Sequence, residues 1–437
     1  MNSIPKSLQI LLFILSLSYA FLHLGFAKET KSLLHILYFI SLLSVILYQR
    51  ELFKTLPPLI ILFGAITTVI SWALMKLQIP ELANSSPNTK PLLDKLIFIP
   101  LALALLGNQK KIMIFWSVAA LSALLLPWSI GHGSQEIEAA IAGQRTGFGR
   151  HPITMGMIYS CLLIAALVFF NRIVLQKKLI WLRFILWLFI VAIGLLGIIG
   201  SQTRAVYVGL FIVLIAITIS LTTSLILQKN KNKKTHYSII PLFLIVSAFT
   251  ILYSQGTFDR TIKRFISEKQ TYAKILQGDT SSIPLNSAGY RIHFWQETLK
   301  WSAERPLTGW DDDANSKMHE KAGHWFSSEK RHFITVHNDF LEILLAYGVL
   351  GIIFIVTLIF WLIQGIISAW RSGIMPTDYF IFFISFFIFF LFNGLFMSTW
   401  FLSDSRFLWN TVTAGAAAFI IENIKNKNAS PPSLEIK

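Results

Sequence analysis

LIWLRFILWLFIVAIGLLGIIG, residues 179–200, holds a single charge, Arg183, in 22 positions. A hydrocarbon layer about 30 Å thick takes roughly 20 helical residues to cross, and their backbone polar groups must pair internally. The stretch meets both conditions and reads as a transmembrane helix. The same rule finds eleven more candidates along the chain: 7–26, 32–48, 56–79, 92–107, 112–130, 152–170, 205–227, 238–254, 338–364, 379–401 and 407–424. The span 92–107 is short and opens on Asp94 and Lys95, which marks it as irregular.

Composition agrees with this reading. The chain has 437 residues, 54% of them hydrophobic and only 14% charged, and its mean hydropathy is +0.61. Soluble domains carry about 25% charged residues, so a water-soluble enzyme is excluded, and so is intrinsic disorder. The lone cysteine, Cys161, allows neither an intrachain disulfide nor a cysteine-rich metal site.

The formal charge of +16 first suggests nucleic acid. Loop asymmetry explains much of it instead. With the N-terminus in the cytoplasm, the inward segments hold 17 Lys and Arg and the short outward segments 9. That excess orients the protein with both termini inside, by the positive-inside rule. The run Gln228–His236 (QKNKNKKTH) then reads as an anchor beside anionic membrane lipid, with no nucleic-acid partner. Ser18 and Ala20 mimic a signal-peptidase site, but eleven further spans favour a retained anchor. The organisation expected is therefore an all-α polytopic membrane protein of about twelve transmembrane helices. Residues 1–254 hold helices 1–9, 255–337 form one large external loop domain, 338–425 hold helices 10–12, and 426–437 form a cytoplasmic tail.

Long loops tend to be functional, so the loop 255–336 directs attention to the outer face. Within it, Arg291–Glu304 (RIHFWQETLKWSAE) spaces Ile292, Trp295, Leu299 and Ser302 as one helix face that can lie on the bundle, ended by Pro306 and Gly309. Where the loop meets the tenth span stands HNDFLEILLAYGVLG: His337, Asn338, nine residues, Gly348, two residues, Gly351. A histidine at a lipid–water boundary can stay neutral and serve as a general base. Asn338 can cap the helix that follows, and Gly348 and Gly351 can let another helix approach closely. On the same side lie Arg204 in SQTRAVYVG, Arg291 at the head of the loop helix, and Arg145 and Arg150 in QRTGFGRHP. Guanidinium forks bind phosphate oxygens two at a time. An isolated interfacial arginine often does no more than snorkel to headgroups, and nothing in the residues ranks Arg145 against Arg150.

Metal signals are weak. His319 and His324 are five apart, offset by about 140° on a helix, so with Glu320 they do not form a zinc-protease face. Asp311-Asp312-Asp313 could hold a divalent cation but reads better as a solvated acidic turn. No Walker loop, dinucleotide fingerprint or Gly-x-Ser-x-Gly elbow is present.

At these residues the chain resembles the O-antigen ligase/polymerase superfamily, most closely the O-antigen ligases of Gram-negative bacteria. The pattern from His337 to Gly351 matches the family's ligase signature. Gln144–Pro152, Ser201–Gly209 and Arg291–Gly309 match its preceding segments in order, so the likeness covers about residues 140–355. Trp310-Asp311 departs from it, since many relatives carry a second glycine there. The resemblance implies a GT-C-like fold in the inner membrane with a periplasmic active site. It also implies inverting transfer of polysaccharide from an undecaprenyl-pyrophosphate carrier to a sugar hydroxyl of lipid A-core, without metal or other cofactor. Catalysis would fall to His337, Arg204 and Arg291, and substrate binding to Arg145, Arg150 and Asn338. An O-antigen polymerase and a protein O-oligosaccharyltransferase share the donor and differ in acceptor. A lipid-linked glycan transporter is a further class. Against it stand the scarcity of ionisable residues at span centres, the lack of an internal repeat and a loop of 82 residues (255–336) that would have no task.

Overall fold

A computed structural model describes residues 4–27, 30–50, 52, 56–175, 178–227, 246, 250, 259–279, 282–321 and 335–429. Among them there is helix and no strand. The principal helices are α1 (Lys6–Leu22), α2 (Thr30–Tyr48), α3 (Leu56–Gln78), α4 (Phe98–Leu105), α5 (Gln109–Ser129), α6 (Pro152–Val168), α7 (Ile180–Ser201), α8 (Arg204–Leu227), α9 (Ser287–Glu304), α10 (Asp339–Arg371), α11 (Thr377–Gly394) and α12 (Ser403–Ala429). Six of the described helices, α2, α3, α5, α7, α10 and α11, are long and apolar enough to cross a membrane, and α1, α6 and residues 204–219 of α8 form shorter apolar helices. The protein is an all-α polytopic membrane protein.

The apolar faces point both ways, as a bilayer requires. On α7, Trp187 is fully buried while Trp181, less than two turns earlier, is 77% exposed beside exposed Ile185 and Phe189. Water would penalise that outer face and lipid does not. The interior is built around α12, which packs against α4, α6, α10 and α11. Small residues Ala414, Ala416, Ala417 and Ala418 bring those neighbours close, and Trp409 is wrapped by Phe387, Phe390 and Trp400 at ring distances of 5.1–5.5 Å.

Ten of the twelve expected spans each overlap one helix, but α11 ends at Gly394, well short of the expected end at 401, and α12 runs through Ala429, past the expected tail boundary. The expected span 238–254 and the basic run Gln228–His236 lie outside the described residues. The span 92–107 is corrected. It folds as short pieces, Lys90–Leu93, a 3-10 turn Asp94–Leu96 and the eight-residue α4. Such breaks are tolerated at depth only where protein satisfies the freed backbone. Here Asn410 Oδ1 accepts from the Phe98 N–H at 3.0 Å, Asn410 Nδ2 donates to the Asp94 carbonyl at 2.9 Å, and the Trp409 indole donates to the Lys95 carbonyl at 2.9 Å.

The junction of loop and bundle is a second broken helix. Gly348 sits inside α10 at φ 60°, ψ −154°. The interrupted ladder is closed by the chain around Pro306–Gly309: Trp310 and Asp311 donate to the carbonyls of Leu345 and Ala346 at 2.9 Å, and Val349 donates to the Pro306 carbonyl at 2.8 Å. A Cβ on Gly348 would lie 2.4 Å from the Leu307 carbonyl carbon, and one on Gly309 2.5 Å from that of Ala346. The two glycine-bearing motifs are thus two sides of one joint. The expectation of a neighbouring helix at Gly348 and Gly351 is corrected: what approaches Gly348 is loop backbone, while Gly351 faces Tyr347 and Ile343 of its own helix across the break.

Candidate active site

Four segments far apart in sequence meet at one end of the bundle. The first is the corner between α7 and α8. Gln202 takes a left-handed conformation (φ 47°) and donates to the Gly143 carbonyl at 2.8 Å, so the chain reverses in two residues and α8 starts at Arg204. The second is the loop 143–151, docked on that corner by the Thr146 N–H on the Gly200 carbonyl at 2.9 Å and by Arg145 Nε on the Ser201 carbonyl at 3.2 Å.

The third segment is α9. Asn286 caps it, accepting from Gly289 N–H at 3.0 Å, and ties it to the helix Lys269–Leu276 by donating to Thr271 Oγ1 at 2.7 Å. Glu268, the residue before that helix, grips Arg204: Nη1 to Oε2 is 2.5 Å and Nη2 to Oε1 is 3.0 Å. Tyr272 adds its hydroxyl to Glu268 at 2.9 Å. Burial pushes the Glu268 carboxyl up, but the hydrogen bonds of Arg204 and Tyr272 and the nearby Arg291 outweigh it and hold the group below its usual range. Burial, followed by the repelling charge of Arg204, makes the Arg291 guanidinium more acidic than usual, so the two cations feel one another.

The fourth segment carries His337. Trp295, one turn beyond Arg291 on α9, donates to the Val336 carbonyl at 3.1 Å and so holds the residue before the histidine. His337 itself is left-handed (φ 58°), a conformation that costs a non-glycine residue free energy and is enriched at functional sites. The next residue is extended Asn338, whose side chain caps α10 by accepting from Phe340 and Leu341 N–H at 3.0 and 3.1 Å, while its Nδ2 donates to the Leu395 carbonyl at 3.0 Å. The expected cap is therefore present, and both ends of the amide are engaged within the protein. Burial, then the Arg291 charge and then His151 lower the His337 imidazole to about 4. The ring is neutral at neutral pH.

His337, Arg291 and Arg204 thus come together, with Arg145 close by on the α7–α8 corner. Arg150 behaves differently. Its Nε donates to the Leu24 carbonyl at 2.8 Å, and its Nη2 reaches the same oxygen and that of Gly25, so it ties the segment after α1 to the loop. Glu268, Tyr272 and His151 did not stand out in the sequence. Glu268 and Tyr272 lie in an unremarkable polar stretch, and His151 is hidden as the residue between Arg150 and Pro152. Burial, then the Arg145 charge, lowers the His151 imidazole, and Asp404 opposes them.

Two further expectations change. Of the expected face Ser302 is buried and Trp295 packs against the core, but Leu299 is 52% exposed, and Tyr290, Phe294, Thr298 and Trp301 fill the buried side of α9 instead. Asp311 is not solvated. It is 0% exposed at φ 67°, and Asn84 Nδ2 donates to its Oδ2 at 3.1 Å and to Asp312 Oδ1 at 2.7 Å. Asp is among the residues that tolerate that conformation best, so Asp311 stands just after Gly309 without a second glycine. Burial raises its carboxyl. Among the described residues no group of three or more His, Cys, Asp or Glu is placed to hold a metal. The side chains of His319 and Glu320, and His324, lie outside them.

Residues 189–356 match the model of a protein family described as O-antigen ligase. That segment contains Arg204, Glu268, Arg291, His337 and both glycine motifs of the joint. No curated protein matches the chain.

Proposed function

We propose that this chain, which carries the O-antigen ligase family domain, transfers polysaccharide from undecaprenyl-pyrophosphate to a sugar hydroxyl of lipid A-core. In this reading the protein lies in the Gram-negative inner membrane with both termini in the cytoplasm, and His337 works at the periplasmic face. The observation that carries the proposal is the meeting of a neutral, half-buried imidazole with two guanidinium groups from distant segments.

A sugar hydroxyl is a weak nucleophile. His337 takes its proton as the oxygen bonds to the anomeric carbon, an effect typically worth about 10²–10⁴ in rate. The bond from that carbon to the diphosphate oxygen breaks on the opposite side, which inverts the anomeric configuration. The diphosphate departs with its electron pair, and its growing charge meets Arg204 and Arg291, with Arg145 as a further contact. Fixed charge at a leaving group is often the largest single catalytic term. As the anion enters, it offsets the Arg291 field at His337 and makes the imidazole a stronger base. Asn338 acts through the histidine, by fixing the start of α10. Arg150, engaged with the segment after α1, has a supporting role.

Deleting the gene tests the acceptor. A ligase deletion leaves long polymer on the carrier and bare lipid A-core. Core bearing a single repeat unit would indicate an O-antigen polymerase, and unchanged lipopolysaccharide with loss of glycan from a protein would indicate a protein O-oligosaccharyltransferase.

A further inference from the structure

A cavity opens at the same end of the bundle, and neither Arg204, Arg291 nor His337 lines it. It holds about 410 Å³ between the end of α1, the start of α2 and the start of α12, and its wall includes His23, Lys31, His35, Lys90, Asp94 and Arg406. The lining carries three permanent cations and one carboxylate, and that carboxylate lies 3.8 Å from Arg406. The excess charge is therefore that of Lys31 and Lys90, both exposed side chains. Hydroxyls of Tyr19, Thr30 and Tyr38 add hydrogen-bonding capacity.

This cavity is continuous with a much larger apolar one. A groove of about 660 Å³ shares His35, Tyr38, Lys90 and Asp94 with it and runs along α2 and α3 past Val45, Pro58, Ile61 and Leu103 to Ile421 and Ile424 of α12. From His35 to Val45, the α2 residues that line it, the helix rises about 15 Å at about 1.5 Å per residue, so the groove follows about half of the hydrocarbon layer. One wall of it is the broken segment 90–105, through Leu93, Leu96, Ile99 and Leu103.

We infer that this groove and its basic mouth form a binding site for a phosphate-bearing membrane lipid, with the phosphate at Lys31, Lys90 and Arg406 and the hydrocarbon chains along α2 and α3. Charge and shape select this occupant together. The mouth wants an anion with several oxygens, the groove wants a long apolar chain, and the two are joined at one end. A free anion would leave the groove unfilled, and a neutral lipid would leave the lysines unmatched. The site is separate from the arginine cluster. Its link is the first turn of α12, where Arg406 lines the cavity while Asp404 feels Arg150 and His151 on the other side.

The test is native mass spectrometry of the full chain in detergent, titrated with phosphatidylglycerol, phosphatidylcholine or inorganic phosphate. The proposal expects one phosphatidylglycerol held at least ten-fold more tightly than phosphatidylcholine. Lys31→Glu with Lys90→Glu abolishes that preference, Val45→Trp, which fills the groove, weakens both lipids, and Arg204→Ala changes neither. The lysines are exposed, so the charge variant reports even if Val45→Trp fails to fold. Wild-type binding in the charge variant, loss of binding in Arg204→Ala, or displacement of the lipid by millimolar inorganic phosphate would each overturn it.

Discussion

Arg204 and Glu268 share a two-point contact, with Nη1 on Oε2 at 2.5 Å and Nη2 on Oε1 at 3.0 Å. The cation that should meet the leaving diphosphate is therefore already held in a fork by a carboxylate from the loop. The carboxylate fixes the direction of the guanidinium and offsets part of the positive charge that Arg204 and Arg291 create. Glu268→Gln removes the second effect and weakens the first. The donor should bind more tightly, so KM falls, while turnover drops roughly ten-fold, the loss of about 1.4 kcal/mol of a charge-assisted contact. Steady-state kinetics with a lipid-diphosphate donor would show both parameters falling; unchanged values of both would remove Glu268 from the site.

Arg145 and Arg150 should separate by experiment as they do in space. Arg150 is engaged with the Leu24 and Gly25 carbonyls, so Arg150→Ala should lower the melting temperature in detergent and leave donor KM nearly unchanged. Arg145→Ala should raise donor KM about ten-fold, the scale of one charge-assisted hydrogen bond, and, because Arg145 also donates to the Ser201 carbonyl, lower the melting temperature as well. Equal effects of the two variants on both readouts would contradict the assignment.

The His337 imidazole is lowered to about 4 by burial and then by Arg291. A nearby cation disfavours the protonated ring, so Arg291→Ala must raise this value toward 6.5, the ordinary histidine value. The neutral form, which reacts with diethyl pyrocarbonate, then persists over a narrower pH range. Modification of the His337 peptide, followed by mass spectrometry between pH 4 and 8, should lose its acid limb at higher pH in the variant than in the parent. A limb that stays in place would mean the two groups do not interact.

Gly348→Ala tests the joint. The added Cβ meets the Leu307 carbonyl carbon at 2.4 Å in a left-handed backbone, so the variant should lose about 1–3 kcal/mol for the backbone strain alone. Gly373 also has positive φ but faces open space, and Gly373→Ala should cost less. Thermal unfolding of the two variants in one detergent gives the comparison; a Gly348→Ala protein as stable as Gly373→Ala would show that the loop backbone does not seat there.

Most of the fold was legible because hydrophobic runs of about 20 residues carry their own address. The segment 92–107 was not, since the break at Asp94–Ile97 is stabilised by Asn410 and Trp409 more than 300 positions away. The joint was half legible. Glycines at 309, 348 and 351 signalled close approach, but spacing does not say whether helix or loop backbone arrives. At the site, His337, Arg204 and Arg291 could be named individually from charge and position. Their meeting depends on Asn286 reaching Thr271 and Trp295 reaching Val336, contacts that no local pattern encodes.

The most direct measurement is single-turnover transfer by purified protein in vesicles, from undecaprenyl-pyrophosphate-linked polysaccharide to lipid A-core, comparing the parent with His337→Ala. The account predicts a rate lower by about 10²–10⁴ with donor binding retained, since the arginines remain. A variant that transfers at close to the parent rate would contradict the assignment of His337 as the base.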